Sequence, residues 1–568
     1  NKMKEQISKA VAGVVETKEW KSISDLIEIP PDSKMGDYAI PCFSFAKLMH
    51  KNPLVIANEI KETLEKCKEE LGLSTIEAVN GYCNLFVNRE KYVETVMNTL
   101  KKDNSGVEKI GRNKTICIDY SSPNIAKNFH VGHLRTTVIG NSLYKIYDKL
   151  GYKVIRINHL GDWGTQFGKL IVAYKKWSSK EEVEKKGIDE LLNIYVKFNG
   201  ESEKNPELMD EARKWFVKME QGDSEALAIW EWFKEISMVE FERVYNMLGI
   251  SFDTYLGESY YRNMVPSLVK LLKEKNLLIE SQGANVIDLS EYDMPPCMIT
   301  KKDGGSIYHS RDICAILYRK ENYDFDKCLY VTGLEQNLHF KQVFKAIELM
   351  GYEWHTDLVH VPYGLVSLEG AKLSTRTGNI IYAEDILEEA VKRAAESIEE
   401  KNPKLADKEI VAKKVGIGAV IFHDLFNQRI KNVDFSWDDV LSFEGTTGPY
   451  VQYTYARAKS ILRKSNVEIE NQSICYAALT DDITFELIKV LSGYEEAVRN
   501  AADRYEPSII ARYIISVASS FNKFYHECAI LREEDEKIKL ARLSLINVVQ
   551  KIINEACSLL GMECPNEM

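Results

Sequence analysis

His130 and His133 stand three residues apart with Gly132 between them, and Lys127 precedes the pair. At the start of a helix this spacing sets both imidazoles on one side. Imidazole N–H groups can donate hydrogen bonds to phosphate oxygens as charge builds on them, and a lysine adds a mobile positive charge. The glycine leaves room for a flat ring against the backbone. The chemistry these residue types suit is phosphate and nucleotide handling. A histidine pair alone is more often a structural turn, so the surrounding elements decide.

Those elements read as strand, loop, helix, strand. Thr115–Ile118 and Val154–Ile157 are apolar runs. Between them Leu134, Val138, Ile139, Leu143, Ile146, Tyr147 and Leu150 recur at helical spacing, and Gly151 sits where a C-cap glycine belongs. In open parallel sheets, ligands bind beyond the strand ends, at the N-terminus of the following helix. His130 and His133 fall there. A second glycine-rich stretch, His159-Leu160-Gly161-Asp162-Trp163-Gly164-Thr165-Gln166-Phe167-Gly168, follows the next strand as a tight loop.

Further along, sheet-like runs are predicted at Ala284–Leu289, Ser306–Tyr308, Cys328–Thr332 and Val359–Pro362, with helical Lys341–Met350 between the last two. Strands alternating with helices predict a parallel sheet. Residues 176–280 read as a charged, mostly helical insertion with solvated faces. Residues 1–110 read as a separate α+β unit: an amphipathic opening helix, a helix from Asn52-Pro53 to Glu65, and an alternating strand over Gly81–Asn88. Lys101–Arg112 is a charged linker. Beyond Tyr382 the pattern is almost wholly helical, with turns expected at Asp434–Asp439 and Gly445–Pro449. The expected domains are 1–110, 111–385 and 386–568.

The totals exclude several classes. Of 568 residues 45% are hydrophobic and 28% charged, and no run of about 18 apolar residues exists, so no membrane span is expected. The first residues lack the apolar centre of a signal peptide, which places the chain in the cytoplasm. The eleven cysteines form no C-x-x-C pair and no zinc spacing, so no metal site is expected. A net charge of −11 excludes nucleic-acid binding through the overall field. RNA would be held by local patches, shape and stacking.

The tetrapeptide His130-Val131-Gly132-His133 resembles the HIGH signature of class I aminoacyl-tRNA synthetases. Its required companion is a lysine- and serine-bearing loop after the last core strand. Ala371-Lys372-Leu373-Ser374-Thr375-Arg376-Thr377-Gly378-Asn379 resembles a divergent KMSKS loop and follows Val359–Pro362. Within the class, Ser121–Lys127, His159–Gly164, Gly448–Arg457 and the ending Leu559–Met568 are similar to the arginyl-tRNA synthetases, so the resemblance covers essentially the whole chain.

The resemblance implies a multidomain α/β protein: a Rossmann-like parallel-sheet catalytic core, an N-terminal α+β domain that touches the tRNA elbow, and a C-terminal all-α helical domain with its anticodon-binding part at about 445–568. It implies that L-arginine is activated by ATP, carried with Mg2+ and without zinc, and then transferred to tRNA(Arg), by a monomer. Lys127, His130, Gly132, His133, Lys372, Ser374 and Arg376 would serve ATP. Thr375-Arg376 stand where the usual loop has its second lysine, and Lys127 would then supply the charge for diphosphate. Asp312 and Tyr308, four apart, would read the guanidinium, while Asp119, Ser122, Asn124, His133 and Gln336 line the rest of the pocket. The family often has Glu at the Asp119 position. Tyr450, Tyr453 and Arg457, with Tyr525 and Met568, would meet the anticodon, and Tyr82, Asn84 and Phe86 the elbow. A cysteinyl enzyme would want zinc ligands, and a synthetase-derived RNA binder without catalysis would have lost His130, His133 or Lys372. A small-molecule nucleotidyl transferase would leave the long helical C-terminal domain without a purpose.

Overall fold

The computed structural model of the chain describes residues 2–17, 19–302, 307–370 and 381–568. These gather into two compact units. One comprises Asn1–Gly106, Ile461–Glu496 and Ser519–Ile552; the other comprises Val107–Ser460, Ala497–Ala518 and Ile553–Met568.

In the first unit Tyr38–Pro41, Leu73–Val79 and Tyr82–Val87 form an antiparallel sheet with Tyr82–Val87 in the centre. A helix over Pro53–Glu65 packs on it, burying Ile56, Ala57, Ile60 and Leu64. That helix starts as its sequence requires. Asn52 accepts the Leu54 N–H at 3.0 Å and Pro53 follows at the first turn, where its missing N–H costs nothing.

The second unit is built on a parallel sheet of β1 (Thr115–Asp119), β2 (Lys153–Ile157), β3 (Lys327–Gly333) and β4 (Leu358–Tyr363), in the order β4-β3-β1-β2. Cys117 pairs with Ile155 on one side and Cys328 on the other. The central strands β1 and β3 are buried along almost their whole length, which is why their apolar runs are continuous. The chain leaves β1 toward β2, then returns to the far side of β1 as β3. The crevice beyond β1 and β3 is therefore a topological switch point. Helix α1 (Val131–Lys149) connects β1 to β2 and is buried along most of its length.

Three sequence expectations change. Tyr308 opens helix α3 (Tyr308–Tyr323) rather than ending a strand. Ala284–Ile287 is a strand, but it belongs to a separate antiparallel sheet with Leu278–Ser281 and Cys297–Thr300. The expected turn at Asp434–Asp439 holds β6 (Val433–Ser436), which pairs in parallel with β5 (Val366–Gly370), and a short helix over Trp437–Val440. The two strand differences come from pairing partners outside the run itself, while the helix at Tyr308 starts where Ser310 Oγ accepts the Ile307 N–H at 3.3 Å. In the insertion, helix α2 (Ser224–Leu248) turns Ser237, Phe241 and Tyr245 inward. Helix α4 (Asn337–Leu349) follows β3, and α5 (Ala383–Lys401) and α6 (Lys408–Phe426) pack together beyond β5.

Candidate active site

His130 is the N-cap of α1, with extended backbone at φ −97 and ψ 179. Its Nδ1 accepts the Gly132 N–H at 3.0 Å, while its own N–H donates to His133 Nδ1 at 3.3 Å. The two rings stack with centroids 4.1 Å apart. With both Nδ1 atoms accepting, a neutral ring carries its proton on Nε2. Burial pushes His133 down to about 3, helped by the charges of His130 and Lys127, and burial lowers His130 as well. The result is two uncharged N–H donors at the positive end of a helix. A Cβ on Gly132 would lie 2.8 Å from His130 Cε1. The space the glycine leaves is thus taken by the chain's own imidazole.

The loop between β1 and α1 is held against its local preference. Ser121, Ser122 and Ala126 have φ of 73, 48 and 61, a region that costs non-glycine residues about 1–3 kcal/mol each unless the surroundings compensate. Ser121 Oγ meets Tyr245 Oη at 2.6 Å and accepts from Thr137 Oγ1 at 2.8 Å. Asn158 accepts the Ser122 N–H at 3.1 Å and donates to Tyr245 Oη at 2.9 Å. Ser237 Oγ accepts the Ala126 N–H at 2.7 Å. Gly161 exchanges main-chain bonds with Pro123 and Ile125, both at 3.1 Å. A Cβ on Gly161 would fall 1.8 Å from Asn124 Oδ1, so the glycine is what lets Asn124 lie there.

Asp119 ends β1 and uses both oxygens. Oδ1 accepts from Ser122 Oγ at 2.8 Å and Oδ2 lies 2.9 Å from Arg319 Nη1. Arg319 is 1% exposed, and its Nη2 is 3.3 Å from His159 Nδ1. Burial opposes its charge, but Asp119 and the surrounding phenols and thiol outweigh that and hold the guanidinium ionised.

Asp312 sits one helical turn beyond Tyr308 on α3. Its Oδ2 is 2.5 Å from His339 Nε2 and its Oδ1 is 3.9 Å from His159 Nε2. Burial alone would raise this carboxyl. The His339 hydrogen bond, then the charges of His339, His159 and Arg319, bring it below the ordinary range. The adjacent Arg311 does not pair with Asp312; it reaches Glu258 at 3.3 Å. Burial pushes Glu258 up to about 8 despite Arg311, with Asp312 and Asp162 adding to the rise. Tyr308 is exposed, with the Arg311 guanidinium 4.9 Å from its ring centroid. Asn124, Lys127 and Gln336 are also exposed, Gln336 on the turn that follows β3.

Of the predicted residues, Asp119, Ser122 and Asp312 are brought together through Arg319 and His159. Lys372, Ser374 and Arg376 lie outside the described residues. Tyr450, Tyr453 and Arg457 share α7 (Gly448–Ser465); Tyr453 is exposed and Arg457 Cζ is 5.2 Å from its ring centroid. Met568, like Val391, packs against the buried cluster of Ala394, Ile398, Leu405, Val411, Ala412 and Val415, and its main-chain oxygen accepts from Asn402 at 3.2 Å. Tyr525 falls in the other unit, half-buried beside His526. There, too, Asn84 is buried, Tyr82 and Phe86 are half-buried, and Tyr82 meets the Phe43 ring edge-on at 5.4 Å.

Sequence reasoning missed Arg319, His339, Ser237 and Tyr245. Arg319 had a signal: it lies two helical turns after Asp312, on the same face. The other three have none that is local.

A parallel sheet with capped histidines at its switch point is the framework of a class I aminoacyl-tRNA synthetase, and comparison with known proteins agrees. The family model described as "tRNA synthetases class I (R), catalytic domain" matches residues 95–437, more than half of the chain. "DALR anticodon binding domain" matches 451–568 and "Arginyl tRNA synthetase N terminal domain" matches 1–87. The arginine–tRNA ligase of Alkaliphilus metalliredigens is 50% identical over 567 residues, covering 100% of this chain and 99% of that one. That of Clostridioides difficile is 49% identical over 564 residues, covering 99% of each. Among solved structures, arginyl-tRNA synthetase of Thermus thermophilus superposes with a TM-score of 0.80 at 24% identity, covering 99% of each chain, and supports the fold. The chain belongs to the arginyl-tRNA synthetase family.

Proposed function

We propose that this chain joins L-arginine to the 3′ end of tRNA(Arg) in two steps, in the service of protein synthesis. The arginine carboxylate attacks the α-phosphorus of ATP, forming arginyl-adenylate and releasing diphosphate. The terminal ribose hydroxyl of the tRNA then takes the arginyl group and AMP leaves. No protein nucleophile is needed, so the work is positioning and stabilisation of developing charge.

The observation that carries this reading is the pair of neutral, stacked imidazoles with Nε2–H donors at the start of α1. They can follow charge on the phosphates without a proton-transfer step of their own. Asp312, ionised and oriented by His339, meets the five-donor guanidinium of arginine, with Tyr308 beside it. Asp119, Ser122, Asn124, His133 and Gln336 face the remainder of the amino acid. Lys127 supplies positive charge for diphosphate in place of the lysine absent at Thr375-Arg376, alongside Lys372, Ser374 and Arg376. ATP arrives as its magnesium complex.

The tRNA is read by Tyr450, Tyr453 and Arg457, whose aromatic and guanidinium faces suit stacking on unpaired bases, and by Tyr525 and Met568. Tyr82, Asn84 and Phe86 of the N-terminal domain, residues 1–110, take the elbow. The catalytic domain runs over 111–385 and the helical domain over 386–568. No helix among the described residues is long and apolar enough to cross a membrane, and we read the chain as a cytoplasmic monomer.

Arginine-dependent exchange between ATP and labelled diphosphate, run with and without tRNA(Arg), tests the reading. Exchange that requires arginine and is strongest with tRNA is expected. Its absence with arginine and tRNA(Arg) both present would overturn the proposal.

A further inference from the structure

Arg135 stands two residues beyond His133 on α1 and is 1% exposed. Its Nη1 donates to the main-chain oxygen of Gly364 at 2.5 Å and reaches that of Leu365 at 3.4 Å. Its Nε lies 3.5 Å from Asp424 Oδ1 on α6, an ionic contact without hydrogen-bond geometry. The same backbone segment is gripped from its other side. The Gly364 N–H donates to Arg429 O at 2.9 Å, and the Leu365 N–H to Asn432 Oδ1 at 2.8 Å. Arg429 Nη1 donates to Pro362 O at 2.8 Å, and the Val433 N–H to Leu365 O at 2.9 Å.

Stability does not explain this arrangement. A buried ion pair usually gains little over apolar side chains of the same volume, and burial pushes the Asp424 carboxyl up to about 6 despite Arg135. What the arrangement does provide is a fixed spacing. Residues 362–365 comprise the last two residues of β4 and the two that join it to β5, and in the sequence β5 leads into Ala371–Asn379, the stretch carrying Lys372. One guanidinium ties that junction to the helix whose first turn holds the paired histidines.

We propose that Arg135 is a positioning residue for arginine activation, setting the 362–365 junction, and with it β5, against the His130–His133 end of α1. The proposal rests on the activity given above. Arginine itself meets Asp312 and Asp119, which Arg135 does not touch. The inference therefore separates turnover from arginine binding. A shift of about 1 Å in such a framework is enough to cost on the order of 100-fold in rate.

The test uses the full chain in arginine- and tRNA-dependent diphosphate exchange, with arginine affinity measured by calorimetry. Arg135→Lys keeps the charge beside Asp424, but its ammonium stops about one bond short of the position from which Nη1 reaches the Gly364 and Leu365 oxygens. It is expected to lower kcat about 30-fold and leave the arginine Kd within about twofold. Asn432→Ala loosens the outer grip from an exposed position without stranding a buried charge, and is expected to lower kcat about threefold with the same Kd. A folded Arg135→Lys enzyme with kcat within twofold of wild type overturns the inference. So does a loss of arginine affinity in proportion to kcat. If Arg135→Lys does not fold, unchanged kcat in Asn432→Ala overturns it. Failure of the wild-type chain to exchange is a different result, and removes the activity itself.

Discussion

At the end of the site proposed to take the phosphates, three bonds inside residues 130–133 fix the histidine turn: Gly132 N–H to His130 Nδ1, His130 N–H to His133 Nδ1, and His133 N–H to His130 O. At the end proposed to take the amino acid, Asp119 comes from β1, His159 from the loop after β2, Asp312 and Arg319 from α3, and His339 from α4. The first end is a helix cap that folds with its own turn. The second is a network of charges that exists only once β1, β2, α3 and α4 have packed. A cap can be damaged locally, whereas a buried network fails as a unit.

The largest effect is expected at the network. Asp312→Ala should lower kcat/KM for arginine about 1000-fold, since a buried charged partner of the guanidinium costs roughly 2–5 kcal/mol to remove. The KM for ATP should stay within a few-fold. Equal losses for both substrates in steady-state exchange would mean that the two ends are not separable. Next comes Arg319→Met, which leaves Asp119 buried without its cation and should cost about 3 kcal/mol in denaturant unfolding. Adding Asp119→Asn should recover part of that; a double variant whose loss equals the sum of the singles would show that the two residues do not act as a pair.

The smallest effect is expected at the cap. The folded pKa of His133 lies near 3, below its ordinary 6.5. Only the unfolded chain takes up that proton between the two values, so stability is complete above about 6.5 and declines as pH falls toward 3. Between pH 7 and 5 the loss should be about 1–2 kcal/mol, and His133→Asn should remove it. Urea midpoints for the two proteins at both pH values check this, and parallel curves would refute it.

Much of the fold was legible because the signals that specify it are local. The runs at Thr115–Ile118, Val154–Ile157, Cys328–Thr332 and Val359–Pro362 all became strands of the core sheet, and the periodicity after His130 became α1. Where the reading failed, the deciding contact was a pairing partner outside the run itself, distant for β6 and close by for Ala284–Ile287. Asp434 looks like part of a turn until β5 pairs with it, 67 residues earlier at Ser367. Ala284–Ile287 has the right composition for the core but finds its neighbours in its own hairpin. The insertion helix α2 shows charged faces in sequence, while its inward Ser237 and Tyr245 hold the strained loop after β1.

The sequence by itself determined the histidine cap at the start of α1. A histidine at the N-cap, a glycine two positions on and a second histidine at the third close their hydrogen bonds within one turn, so residue type and spacing suffice. It also put Tyr308 and Asp312, four residues apart, on one face of any helix they share; that they do share one, with Arg319 two turns on, came from the structure. Which charges pair was decided only by the tertiary structure. Arg311 goes to Glu258, freeing its neighbour Asp312 for His339 and His159, while Arg319 goes to Asp119. The physical reason is that the energy of an ion pair depends on distance and burial. For residues separated by up to 200 positions, those quantities exist only after the sheet has brought them together.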